Sequence, residues 1–185
     1  MDTYEAILTR RSVPKVTDRV PDRAEVLRLL DAAVRAPTHH LTQPWRFMVL
    51  TGGALDELGS AWAAGTEAQG KDASGIAAKT RRAPVIICVI EKPHLDHPKC
   101  IEVEEHHAVG AAMQNILLAA HSLGLGAMVR TGPCATLDEV RDYLGLDDDE
   151  LIAGFIYLGY PAPGDLERPM TRRRPAAEIT EWRGW

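Results

Sequence analysis

The sequence predicts an α+β fold in which helices outnumber strands and flank a small mixed or antiparallel sheet. Three observations support this class: short apolar runs typical of strands, a long segment that is apolar on nearly every helical face, and the lack of an internal repeat. The 185 residues, 45% of them hydrophobic, are enough to bury the core of about one domain. We therefore expect a single domain over residues 1–185.

Four runs rich in β-branched and aromatic residues are predicted to be strands. They are WRFMVL at 45–50, VIICVI at 85–90, a run at about 126–130, and LIAGFIYLGY at 151–160. Their length of five to ten residues is typical of strands rather than helices. These runs would form the sheet.

The first half of the chain also carries helical signals. Residues 3–9 indicate a short helix, and the next helix has the capping-box spacing of Asp22 and Glu25. That second helix should end before Pro37, because the residue preceding a proline avoids the helical region. Residues 54–83 indicate a further helix followed by a loop rich in Gly, Lys and Asp.

The segment EVEEHHAVGAAMQNILLAAHSLGLG is the longest predicted helix. Apolar residues cover nearly all of its faces, which indicates burial on all sides, and Gly124 suits its C-terminal cap. A last helix should be opened by Thr136 and Glu139 and closed by Gly145. The tail from Pro161 onward has little periodicity.

Composition excludes several classes of function. A net charge of -5 argues against general nucleic-acid binding, and no apolar run approaches the roughly 20 residues needed to span a bilayer. The N-terminus has no signal-peptide pattern. Three widely spaced cysteines, Cys88, Cys100 and Cys134, indicate reduced thiols, and we expect a cytoplasmic protein.

Two motifs suggest ligands that their context does not support. The glycines at 124–126 superficially match a dinucleotide-binding motif, but here a helix ends and a strand begins, which is the reverse order. His106 and His107 suggest a metal, yet adjacent helical residues point about 100° apart, and there is no HExxH. We expect EEHH to be the exposed first turn of the long helix and no metal to bind.

Three polar clusters remain as candidates for a binding site. RRS at 10–12 offers two guanidinium groups and a hydroxyl to a phosphate, although a solvated helix end is an equally open interpretation. RAPTHHLTQPWRF at 35–47 surrounds one turn with basic groups, and MVRTGP at 128–133 could place amides and a guanidinium against a planar ligand. His40 and Arg46 are expected to be structural or exposed.

The order and spacing of four features of this sequence resemble those of the nitroreductase family of flavin enzymes. The features are RRS, APT-H-x-x-x-QPWRF, the long helix and GLGAMVRTG. The resemblance covers residues 3 to about 160, and the short length, with His39 directly after Ala36-Pro37-Thr38, resembles the family's minimal single-domain members. It implies an interlocked homodimer with FMN at the subunit interface. Tail residues 161–185, which include Trp182 and Trp185, would then pack on the partner rather than be disordered.

The resemblance also implies roles for individual residues. Those it places at the flavin are Arg10, Arg11 and Ser12 on the phosphate and ribityl chain; Arg35 and His39 reaching the partner's flavin; Val129, Arg130, Thr131 and Gly132 along the isoalloxazine edge near N5; and Arg172 to Arg174 on the phosphate. One position departs from the family pattern, because many relatives have an Asn where this chain has Leu41.

The implied activity is an FMN-dependent oxidoreductase that uses NADH or NADPH to reduce nitro compounds, quinones or related small-molecule acceptors by a ping-pong mechanism. No side chain is required as an obligatory acid or base, so no catalytic residue is expected. Two alternatives remain open: a dehalogenase-like or flavin-fragmenting enzyme on the same fold, and a flavin-binding module without turnover.

Overall fold

Four strands form one sheet in the computed structural model, which describes all 185 residues. They are β1 (Trp45–Thr51), β2 (Val85–Glu91), β3 (Gly126–Arg130) and β4 (Leu151–Gly159). The order across the sheet is β1-β2-β4-β3, and every neighbouring pair is antiparallel. The α+β class and all four predicted strands are confirmed.

Five helices surround the sheet. They are α1 (Thr3–Thr9), α2 (Arg23–Ala33), α3 (Gly53–Ala68), α4 (Glu102–Ser122) and α5 (Asp138–Tyr143). The capping box of α2 is confirmed: Asp22 accepts from the Glu25 amide at 2.7 Å, and Glu25 accepts from the Asp22 amide at 2.9 Å. None of these helices combines the length and the hydropathy that crossing a membrane requires.

The central strand β2 is buried on both faces, which explains its continuous apolar sequence. Because side chains alternate along a strand, Val85, Ile87 and Val89 face a core shared with α2 and α4. Ile86 and Cys88 face a second core shared with α3 and α5. The sheet therefore separates two helical layers.

Helix α4 buries one side within the chain. Val109, Ala112 and Ile116 lie in the core, whereas Gly110 on another face is exposed and Leu117 is only partly buried. The predicted burial on all sides is therefore wrong for a single chain. Gly124 confirms the predicted C-terminal cap, since it has φ +74° and follows the capping residue of α4.

The predicted capping residue of α5 is wrong by one position, because Leu137 and not Thr136 is the N-cap. Thr136 belongs to a preceding 3-10 turn, where its hydroxyl donates to the Pro133 carbonyl at 3.1 Å and so does not cap α5. Gly145, with φ +58°, follows the end of the helix as expected.

The segment after β4 pairs with the segment after α1. Val16 and Pro161 form a bridge, the Thr17 amide donates to the Tyr160 carbonyl at 2.8 Å, and the Ala162 amide donates to Lys15 at 3.0 Å. Residues 166–185 are exposed in the single chain. That this tail packs on a partner stays a prediction.

Candidate functional site

Four guanidinium groups surround a cavity of about 490 Å³ at the end of α1. Arg10 and Arg11 follow the last residue of the helix, and Arg168 and Arg173 come from the tail. We call these four residues the arginine cradle. Ser12 also lines the cavity, so all three residues of the RRS motif face it.

Hydrogen bonds tie the tail to the RRS motif. The Arg11 guanidinium donates to the Arg168 carbonyl, and the Arg168 guanidinium donates to the Ser12 carbonyl at 3.4 Å. Arg168 is itself oriented by the buried carboxylate of Asp165, at 3.0 Å. The cavity therefore has walls from both ends of the chain.

The cradle carries an excess of positive charge. Asp165 is the only carboxylate that forms a salt bridge with any of its arginines, and Arg10, Arg11 and Arg173 form none. Partial burial, and then the charge of Arg173, lowers the pKa of Arg10. An anion with several oxygen acceptors, such as a phosphate, would relieve this repulsion and satisfy the guanidinium donors.

Of the tail arginines singled out in the sequence, Arg172 to Arg174, only Arg173 lines the cavity, and Arg168 joins it. Arg173 lines the cavity, whereas Arg172 and Arg174 are exposed and do not line it. Arg168 and Asp165 were missed altogether. No local pattern marks them, because the contact between Arg168 and Arg11 joins residues 157 positions apart.

The two basic residues of the 35–44 loop lie outside the cradle of their own chain. Arg35 lines a separate, open cavity of about 440 Å³ together with Asn115 and Ser122 of α4. His39 is 56% exposed, and its Nε2 lies 3.3 Å from a Glu104 carboxylate oxygen. Within one chain, the structure does not bring these residues to the RRS motif.

The backbone of the 35–44 loop is strained. His40, Leu41 and Gln43 have φ of +50°, +57° and +51°, a left-handed conformation that L-residues other than Asn and Asp rarely adopt. Leu41 is 79% exposed, so no burial of its side chain offsets this strain. Such conformations persist where surrounding contacts impose them.

Replacing Leu41 with Asn should therefore stabilise the protein. Asn tolerates the left-handed region better than Leu, and we expect the free energy of unfolding to rise by about 1 kcal/mol. Urea unfolding of Leu41→Asn beside Leu41→Ala measures this, since Ala removes the same side chain without relieving the strain. Equal stability of the two variants would contradict the explanation.

The end of β3 is the third part of the candidate site. Gly154 of β4 lies opposite, and a Cβ there would sit 2.9 Å from Met113 and 3.4 Å from both Val129 and Thr131. A glycine at position 154 thus lets these side chains approach the strand. Next to them, Gly132 has φ +114°, which allows the chain to turn sharply away from β3.

Arg130 lies on the opposite face of the sheet from Val129 and Thr131. Its guanidinium carbon lies 5.2 Å from the ring centroid of Tyr157, which belongs to the core shared with α3 and α5. Its Nε is buried and has no hydrogen-bond partner, which is rare for a donor in a folded protein.

The first turn of α4 departs from the sequence prediction. EEHH was expected to be exposed, but Glu105 is fully buried, and its carboxylate accepts hydrogen bonds from Thr42 and from the His94 amide. The expectation is wrong here because loop residues from elsewhere in the chain supply the donors. His106 Nδ1 lies 2.5 Å from the buried carboxylate of Glu91. No group of three His, Cys, Asp or Glu side chains is arranged to hold a metal ion.

The fold and the arginine cradle define a nitroreductase-like α+β protein. The chain belongs to the nitroreductase family, whose model matches residues 7–160. The Escherichia coli K12 protein named "Putative NAD(P)H nitroreductase YdjA" is 33% identical over 165 residues, which cover 87% of this chain and 89% of that protein. A Methanothermobacter thermautotrophicus protein named "Putative NADH dehydrogenase/NAD(P)H nitroreductase" is 35% identical over 175 residues, 93% of this chain and 82% of its own.

Solved structures agree with this assignment. A nitroreductase-like family protein from Bacillus cereus superposes with a TM-score of 0.86 at 25% identity, covering 100% of this chain and 97% of its own. A Desulfovibrio desulfuricans structure titled "putative nitroreductase in complex with fmn" has a TM-score of 0.77 at 31% identity, covering 100% and 98%. The fold predicted from the family resemblance is thus confirmed.

Proposed function

We propose that the protein is an FMN-dependent oxidoreductase that uses NADH or NADPH to reduce nitro compounds, quinones or related acceptors. The observation that carries this proposal is the arginine cradle, in which three of four guanidinium groups have no carboxylate partner. The family and the FMN complex of a relative support it. The three free cysteines suit the reducing cytoplasm.

The residues present fit FMN at two separate places. Arg10, Arg11 and Ser12, joined by Arg173 of the tail, would hold the phosphate and the ribityl chain. Residues 129–132 would line the isoalloxazine edge, where Gly154 of β4 carries no side chain beside Val129 and Thr131. Arg172 and Arg174 remain candidates for phosphate contacts, since both lie in the exposed segment beside Arg173.

We further propose a homodimer in which a single domain, residues 1–185, shares each FMN with its partner. An interface is offered by the partly exposed side of α4, the exposed Leu27 of α2, and the exposed Val34 that follows α2. Residues 161–185, with the edge-to-face pair Trp182 and Trp185, would pack on the other subunit. Arg35 and His39, which lie outside the cradle of their own chain, would reach the partner's FMN.

Bound FMN supplies hydride chemistry that amino-acid side chains cannot perform. The chain's part is to bind and orient it, and no side chain is assigned as an obligatory acid or base.

The sequence has no second nucleotide-binding motif, so we expect NAD(P)H and the acceptor to bind in turn at the same place beside the flavin. Parallel double-reciprocal lines, obtained by varying NAD(P)H against a quinone, would support this order, and intersecting lines would contradict it.

Loss of one cradle arginine should weaken FMN binding. A hydrogen bond to a charged group contributes about 1.5–3 kcal/mol, so Arg10→Ala or Arg11→Ala should raise the Kd for FMN by about 10- to 100-fold. Titration of the apoprotein, followed by flavin fluorescence, measures this. Arg28→Ala, which removes an exposed arginine of α2, is the control and should leave the Kd unchanged.

Wild-type Kd values in both single cradle variants would contradict the phosphate assignment. Steady oxidation of NAD(P)H with a quinone or a nitrofuran distinguishes an enzyme from a flavin-binding module without turnover. A purified protein that shows no flavin absorbance and takes up no FMN would contradict the proposed function as a whole.

A further inference from the structure

A single buried carboxylate connects the 35–44 loop to α4. Glu105 is fully buried in the first turn of α4, and its Oε1 accepts from the Thr42 hydroxyl at 2.8 Å. Its Oε2 accepts from the backbone amide of His94 at 3.0 Å. One side chain thus holds two segments that come from different parts of the sequence, residues 35–44 and residues 92–101.

No arginine or lysine balances this carboxylate. The one basic group within salt-bridge distance is the His94 ring, whose Nδ1 lies 3.7 Å away and has no hydrogen-bond partner. A buried carboxylate in such a position depends on its hydrogen-bond donors and on the N-terminal end of the helix dipole. Glu105 therefore depends on the hydrogen bond from the Thr42 hydroxyl, and the 35–44 loop depends on the same hydrogen bond for its position.

The loop needs such an anchor because its backbone is strained. Thr42 lies between Leu41 and Gln43, whose left-handed backbone is unfavourable for residues other than glycine. The neighbouring residue of α4, Glu104, contacts His39 at the other end of the strained stretch. Consecutive carboxylates of one helix therefore contact the loop at two places.

We propose that Glu105 is a positioning residue, which fixes Thr42 and thereby presents His39 to the FMN of the partner subunit. This inference rests on the proposed function. Glu105 would not touch FMN itself, because its two oxygens are already bonded to Thr42 and His94.

Two variants test the connection from its two ends. Glu105→Met keeps the approximate size of the side chain but removes both acceptor oxygens, and Thr42→Val keeps the shape of Thr42 without its hydroxyl. We expect each to raise the Kd for FMN by about tenfold. The matched control is Glu102→Met, which removes a largely exposed carboxylate one turn earlier in the same helix.

Hydrogen exchange of the apoprotein separates positioning from a general loss of stability. In both variants the amides of residues 38–43 should exchange at least tenfold faster, while those of β2 and β4 keep their wild-type rates. Against a His39→Ala background, Glu105→Met should weaken FMN binding no further, because the effect passes through His39.

Three outcomes would overturn the inference: unchanged FMN affinity in both variants, wild-type exchange of residues 38–43, or additive losses with His39→Ala. The two outcomes that concern FMN affinity presuppose that the wild-type protein binds FMN. A wild-type protein that takes up no FMN would instead contradict the proposed function, and the exchange measurement on residues 38–43 would still test the structural link by itself.

Discussion

Mixing Arg10→Glu chains with Arg35→Glu chains should restore FMN binding that neither variant has alone. If each site takes Arg10 from one chain and Arg35 from the other, either variant damages both sites of its own dimer. A mixed dimer would contain one intact site and one that is damaged twice. We expect each variant alone to bind FMN about 100-fold more weakly than wild type, since a carboxylate replaces a guanidinium that would donate a hydrogen bond to FMN.

The structure gives this expectation its physical basis. Arg10 lines the cradle, whereas Arg35 lines a separate cavity beside α4, so one chain does not bring them together. FMN binding and dimerisation would then be linked, and each should strengthen the other.

The matched control mixes two variants that are both changed in the RRS motif. Mixing Arg10→Glu with Arg11→Glu should restore nothing, because both residues belong to the RRS motif and every site of the mixed dimer carries one of the two changes. Flavin retained after gel filtration measures the recovery, and native mass spectrometry shows that chains exchange. Mixed dimers that form without recovery would mean that the 35–44 loop serves only its own chain.

Arg46→Ala should lower the free energy of unfolding by about 3 kcal/mol. Arg46 Nε and Nη2 donate to the two oxygens of Glu150 at 2.7 and 2.6 Å, and the Glu150 side chain is 2% exposed. Removing the guanidinium leaves a buried carboxylate without its cation, which costs more than the pair itself contributes. The expectation that Arg46 is structural is met by this contact.

The same pair makes stability depend on pH. The hydrogen bond from Arg46 lowers the pKa of Glu150 in the folded protein. Its contribution is therefore present above the unfolded carboxyl pKa of about 4.3 and is lost as the pH falls through the lower folded value. The stability difference between wild type and Arg46→Ala should be large at pH 7 and should shrink in acid.

Urea unfolding at pH 7 and at about pH 3 measures both effects. The control is Arg81→Ala, which breaks an exposed ion pair with Asp56 and should change the free energy of unfolding much less than Arg46→Ala does. A loss at Arg46 no larger than the loss at Arg81 would show that Glu150 is accessible to water in solution.

The fold was largely predictable because its patterns are local. Strand runs such as VIICVI and the Asp22–Glu25 capping box depend on side chains close together in sequence, and the structure confirms both. Residues defined by distant contacts could not be found in this way. Arg168 meets Arg11 across 157 positions, and Glu105 is buried only because Thr42 and His94 fold over it.

The arginine cradle also affects the order in which the proposed cofactor site is assembled during synthesis. The ribosome adds Arg168 157 residues after Arg11, and Arg173 follows it. A nascent chain therefore carries half a cradle even when β4, which ends at Gly159, has formed. On the proposed function, the complete cradle can hold FMN only after residues 168–173 have left the ribosome and closed against the RRS motif.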